Sequence, residues 1–183
     1  MLARSPVVGL SESFSRFGED RGLKVGIAYA VVYEIALVLG ILILRSKVND
    51  FLGGFLLAGG ELTVAQLFKI LFLGLVPFAG LVGAIALTRS VLHGKGPFAG
   101  DVYTAGAVSV PRGLLVLVAS IIGTANVEIV AILVLFALTY SILMLYAGCS
   151  QIARIRETAA APAVPIILLL SARLTKIMTT AVW

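Results

Sequence analysis

The chain has 183 residues, of which 60% are hydrophobic and 13% charged, with a mean hydropathy of +1.11. Soluble domains are about 45–50% apolar and about 25% charged, so this composition excludes an ordinary soluble domain and points to an integral membrane protein with little room for a soluble catalytic unit. The net charge of +5 comes without any Lys/Arg cluster interleaved with aromatics, so the basic residues read as topology signals and headgroup contacts, and nucleic acid is set aside as a partner.

In chain order, the N-terminal stretch "MLARSPVVGLSESFSRFGEDRGLK" is too polar for the apolar region of a signal peptide, so the first hydrophobic run is expected to remain as an anchor. Residues 1–24 form a cytoplasmic or interfacial segment, and 25–183 a single helical transmembrane domain. Leu10, Phe14 and Phe17 fall at i, i+4 and i+7, which suits either a short amphipathic helix lying on the membrane surface or a polar tail.

The first span runs from Val25 to Leu44, uncharged except for Glu34. The stretch from Asp50 to Lys69 carries glycine pairs at 53–54 and 59–60, and its apolar centre is too short to cross; a loop with an interfacial or re-entrant piece is expected. The second span runs from Ala65 to Thr88 and contains Pro77. A polar loop with Gly-Lys-Gly-Pro turn chemistry follows, from Arg89 to Asp101.

The third span, Val102 to Ile122, carries Pro111 and Arg112 side by side. It is either one bent helix or a shorter one beginning at Ser109, with Pro111 in its first turn, where a proline's missing donor costs nothing. Gly123 to Glu128 is a tight connection, with Asn126 a candidate N-cap. The fourth span runs from Ile129 to Cys149. The fifth, Ala159 to Thr180, is interrupted by Pro162, Pro165, Arg173 and Lys176. The expected fold is therefore all-α: an integral membrane bundle of about five transmembrane helices, with proline kinks at Pro77, Pro111 and Pro165.

With the N-terminus on the cytoplasmic side, nine of the fourteen Lys and Arg residues fall on that side and five on the other, which favours a multi-pass protein with its N-terminus inside. The second and third spans also resemble each other. "LFLGLVPFAGLVGAIAL" and "AGAVSVPRGLLVLVASI" each place a proline seven positions in and a glycine two or three later, either through a weak internal duplication or by chance.

The stretches "GGELTVAQLFKILFLGLVPFAG", "YTAGAVSVPRGLLVLV" and "LTYSILMLYAGCSQIARIRETAAAPAVPIILLL" resemble the Yip-type membrane proteins, over roughly Gly59 to Leu170. The shared features are a Gly-rich polar stretch leading into a proline-bearing helix, a small-residue entry to the next span, and an aromatic-rich span followed by a short basic loop and an alanine-led last helix. The resemblance implies five spans and a cytoplasmic N-terminus. Its eukaryotic members are associated with Rab GTPases and membrane trafficking; the architecture is carried over to this chain, and the trafficking role is not.

Polar residues inside the spans are the functional candidates. Glu34 stands near the bilayer midplane, where a carboxylate must pair, meet water or hold a proton. Its candidate ion-pair partners are Arg112, Lys69 and Arg173. Cys149, the only cysteine, reads as a packed thiol. His93, the only histidine, reads as a solvated loop residue, and no acidic or cysteine cluster joins it to make a metal site. Ser109, Ser120, Ser141 and Ser171 lack a histidine base. No enzyme activity and no cofactor are expected, although pigment ligation stays open. Small residues at Gly74, Gly80, Gly83 and Ala84 favour close helix contact. The expected role is that of a non-enzymatic scaffold or accessory subunit, in contact with the lipid bilayer and with a membrane-protein partner or a second copy of itself. The alternative is a small transporter or channel built around Glu34.

Overall fold

The computed structural model describes residues 6–47, 64–122 and 126–182. Among the described residues are five helices long and apolar enough to cross a membrane: α1 Pro6–Lys47, α2 Val64–Val91, α3 Phe98–Ile122, α4 Val127–Ala147 and α5 Glu157–Val182. A π-helical turn, Gly148–Ile152, ends α4, and no strand occurs among the described residues. The anticipated Gly-rich loop piece falls largely within residues 48–63, outside the described residues.

Both middle prolines sit inside unbroken helices, Pro77 in α2 and Pro111 in α3. Because α3 begins at Phe98, the reading in which it starts at Ser109 is excluded. Pro162 and Pro165 likewise lie within α5. Asn126 precedes α4 but makes no side-chain capping bond. Serines inside the spans satisfy themselves locally. The hydroxyls of Ser109, Ser120 and Ser141 donate to the carbonyls of Ala105, Leu117 and Ala137 at 2.7–2.8 Å, as hydroxyls in an apolar medium must.

The N-terminal segment is helical and reverses direction at Gly18. Gly18, with φ 71° and ψ 176°, breaks α1 in a region open essentially to glycine alone. A straight helix would hold Phe14 and Gly22 about 12 Å apart. Instead a Cβ on Gly22 would lie 2.5 Å from the Phe14 ring, so the chain doubles back. The arm before Gly18 thus packs into the bundle: Leu10 is wholly buried, and Phe14 meets Tyr103 of α3 with ring centroids 5.4 Å apart. Tyr29 closes on the same Tyr103 at 5.9 Å, so one aromatic on α3 is held by both arms of α1. Leu10 and Phe14 thus anchor the arm on the bundle. Gly18→Ala is expected to cost about 1–3 kcal/mol and to expose the arm, read as faster hydrogen exchange and proteolysis over residues 6–17.

Glycines set the helix spacing. On α1 and α3, a Cβ at Gly26 would lie 2.8 Å from the Tyr103 backbone, and one at Gly106 would lie 2.5 Å from the Gly26 carbonyl oxygen. Further along, Gly40 meets Val116 and Leu117, and Gly113 meets Tyr33, so the two helices run parallel in backbone contact. On α2, Gly80 packs on Ser171 and Thr175 of α5, and Gly83 on Leu174, as the small-residue reading anticipated. The most extensive contacts are α1 with α3 and α2 with α5; α4 joins the first pair, and the contacts linking the two groups are thinner.

One end of the bundle is tied by its loops. His93 takes φ 53° so that the Gly94 N–H can reach back to the Arg89 carbonyl at 2.8 Å, closing α2 with a left-handed cap. Arg154, at φ 52°, ends the α4 turn in the same way. The two loops then join: the Gly96 N–H donates to the Ala153 carbonyl at 3.0 Å. Arg89, Lys95, Arg154 and Arg156 thus gather at one end, as alternating spans require.

Candidate functional site

Glu34 sits ten residues from Lys24 and ten from Leu44, about 15 Å from either end at 1.5 Å per residue. That is half the ~30 Å hydrocarbon thickness. Its side chain is 7% exposed, and both carboxylate oxygens are buried without a hydrogen-bond partner. The carboxylate occupies the space that a side chain on Gly74 would take, so the glycine of α2 makes room for it. Glu34 therefore lies at the seam between the α1–α3–α4 group and the α2–α5 group.

The anticipated Glu34–Arg112 ion pair does not form. Arg112 lies at a similar depth, since its neighbour Gly113 closes on Tyr33, with a built Cβ 2.9 Å from the ring. Successive residues on a helix point about 100° apart. Tyr33 is turned to α3, so Glu34 is turned to α2 and away from Arg112. Arg173 is exposed on α5 and does not bond Glu34 either. Lys69 falls in α2, but its side chain lies outside the described residues.

An ion pair does form between Arg89 and Asp101, two residues the sequence places at opposite ends of a polar loop. Asp101 is instead in the first turn of α3 and 1% exposed. The Arg89 Nε donates to both carboxylate oxygens, at 2.9 and 3.1 Å, and its Nη1 donates to the Gly96 carbonyl at 2.8 Å. One guanidinium thus holds α2, the loop and α3 together. The available sequence signal was the twelve-residue separation of opposite charges across a loop short enough to bring two adjacent helix ends together.

Among the described residues, the buried Thr88 hydroxyl also has no hydrogen-bond partner. Cys149 is fully buried, as expected of a packed thiol, and His93 is exposed. Chemically, the distinctive group is Glu34. A lone charged side chain at the centre of a membrane span costs about 2.5–3.5 kcal/mol or more, so this position holds either a proton or a cation, or simply bears a penalty. No protein-family model, curated protein or solved structure matches the chain.

Proposed function

We propose that this protein is a non-enzymatic scaffold or accessory subunit of a membrane assembly, with the five-span architecture of Yip-type proteins and a cytoplasmic N-terminus. The observation that carries the reading is the state of α4. Ile129, Ile132, Leu135, Phe136, Leu138, Ile142 and Leu143 are all exposed, so the helix offers large apolar side chains around most of its circumference. A helix apolar all round belongs in a membrane or a core, and α4 contacts α3, α1 and, more thinly, α5. Its free faces can pack against lipid and against a helix of a partner or of a second copy. The test is co-purification in mild detergent at fixed stoichiometry, abolished by substitutions on the free face of α4.

A second reading, a small proton- or cation-coupled transporter, is favoured by the unpartnered Glu34 carboxylate. One variant separates the two. In the scaffold reading the carboxyl contributes only a penalty, so Glu34→Met should raise stability by about 1–3 kcal/mol and leave assembly intact, read by thermal melting in detergent and by size exclusion. In the transport reading, the same substitution abolishes flux in proteoliposomes.

A further inference from the structure

Pro77 of α2 and Glu34 of α1 leave complementary polar groups at the same place. Proline has no backbone N–H, so the Leu73 carbonyl, four positions before Pro77, has no helical donor. Such a carbonyl in a membrane helix is satisfied by a neighbouring helix, since no water reaches it. The residue after Leu73 is Gly74, which carries no side chain to shield that oxygen. Both oxygens of the Glu34 carboxyl lie against the Cβ position of Gly74. In an α-helix that position is ~4 Å from the preceding carbonyl oxygen. The carboxyl is therefore within hydrogen-bonding reach of the Leu73 carbonyl.

No other group in the seam serves Glu34, whose two oxygens receive no hydrogen bond. The Gly74 N–H is engaged in the ladder of α2. Arg112 of α3 is on the Tyr33 side of α1, and Arg173 of α5 is exposed and unbonded to Glu34. Lys69 stands five positions before Gly74, about 140° around α2. The single charged residue of α4 is Glu128, in its first turn. A metal cation would need several more oxygen ligands than one carboxyl and one carbonyl, and no cluster of metal-ligating side chains occurs among the described residues. A carboxylic acid, by contrast, has the one donor that the Leu73 carbonyl lacks.

We infer that Glu34 is a proton-binding site, which holds its proton and donates it to the Leu73 carbonyl that Pro77 leaves free, bridging α1 and α2. One hydrogen bond offsets only part of the cost of burying the carboxyl, so Glu34 remains a net penalty to stability. The assignment stands apart from both functions proposed above: a scaffold keeps the proton, and a transporter must also release it.

Infrared spectroscopy in proteoliposomes at neutral pH, wild type minus Glu34→Gln, tests the proton. The expected result is a protonated-carboxyl C=O band that shifts in D2O and is indifferent to NaCl or KCl. A pair of carboxylate bands, or conversion to them by salt, would overturn the assignment. The acceptor is read by NMR in detergent micelles with 13C′-leucine and 15N-glycine, which reports only the three Leu–Gly pairs, at Gly40, Gly53 and Gly74. Glu34→Met removes the donor and should move the Leu73 C′ resonance upfield. Glu34→Gln keeps an N–H donor and should hold it near its native position. Pro77→Ala restores the helical donor, and in that background Glu34→Met should leave the resonance unmoved. A Leu73 carbonyl that does not respond to Glu34→Met, responds equally to Glu34→Gln, or responds equally in both backgrounds would mean that Glu34 does not bond it.

Discussion

Arg89→Leu is expected to destabilise the bundle by about 3–5 kcal/mol, the cost of leaving a buried charge without its partner. Asp101 is 1% exposed, and its carboxylate receives both of its hydrogen bonds from the Arg89 Nε. Without the guanidinium, the Gly96 carbonyl also loses its side-chain donor, and α2 and α3 lose the polar tie across their loop. The double variant Arg89→Leu/Asp101→Leu should recover most of the loss, because replacing both members of a buried pair with apolar groups is often neutral or stabilising. Melting of the wild type, the two single variants and the double variant closes this cycle. Additive single losses would mean that the two side chains do not interact.

The second large effect is expected at the α1–α3 contact. Gly106→Leu places a side chain where the Gly26 carbonyl oxygen lies 2.5 Å from the first added carbon. The obstacle is backbone, which cannot swing aside, so the helices must part. Overpacking a tight core costs about 1–3 kcal/mol for small additions, and leucine here should exceed that range. Gly83 is the matched control: its built Cβ meets only the Leu174 Cδ1, at 3.5 Å, an ordinary contact. Gly83→Ala should therefore be neutral, or stabilise by up to about 1 kcal/mol through helix propensity. Thermal melting of Gly106→Leu, Gly106→Ala and Gly83→Ala in one detergent measures the contrast, and equal effects at the two positions would deny that α1 and α3 touch through their backbones.

The spans were legible because hydropathy over about twenty residues is set by the solvent rather than by tertiary partners. The predicted boundaries at Val25–Leu44, Ala65–Thr88 and Ile129–Cys149 fall within the observed helices, or within the π turn that ends α4. Partnership between helices was much less legible. Gly80 and Gly83 were singled out and do face α5, but Gly26, Gly40, Gly106 and Gly113 passed as ordinary small residues, although they carry the most extensive contact in the molecule. Nothing in an apolar sequence says which of several glycine-bearing faces will meet.

The same holds for the polar groups. The depth of Glu34 could be counted along the chain, whereas its direction could not. A turn of about 100° between successive residues separates Tyr33 facing α3 from Glu34 facing α2, and that decides that Arg112 is not the partner. Leu10, Phe14 and Phe17 announced an apolar face, and the reversal at Gly18 turns Leu10 and Phe14 onto the bundle while Phe17 stays exposed. The Arg89–Asp101 pair was hidden because both residues read as loop.

The most direct test of the scaffold function is the stoichiometry of the protein drawn from its own membrane in mild detergent, measured for the wild type and for Ile132→Ala/Leu135→Ala/Ile142→Ala on one exposed face of α4. The expected result is a complex of fixed composition, with a partner membrane protein or a second copy, which the triple variant loses while retaining its own melting temperature. A stable monomer in both cases, together with flux in proteoliposomes that Glu34→Met abolishes, would contradict it.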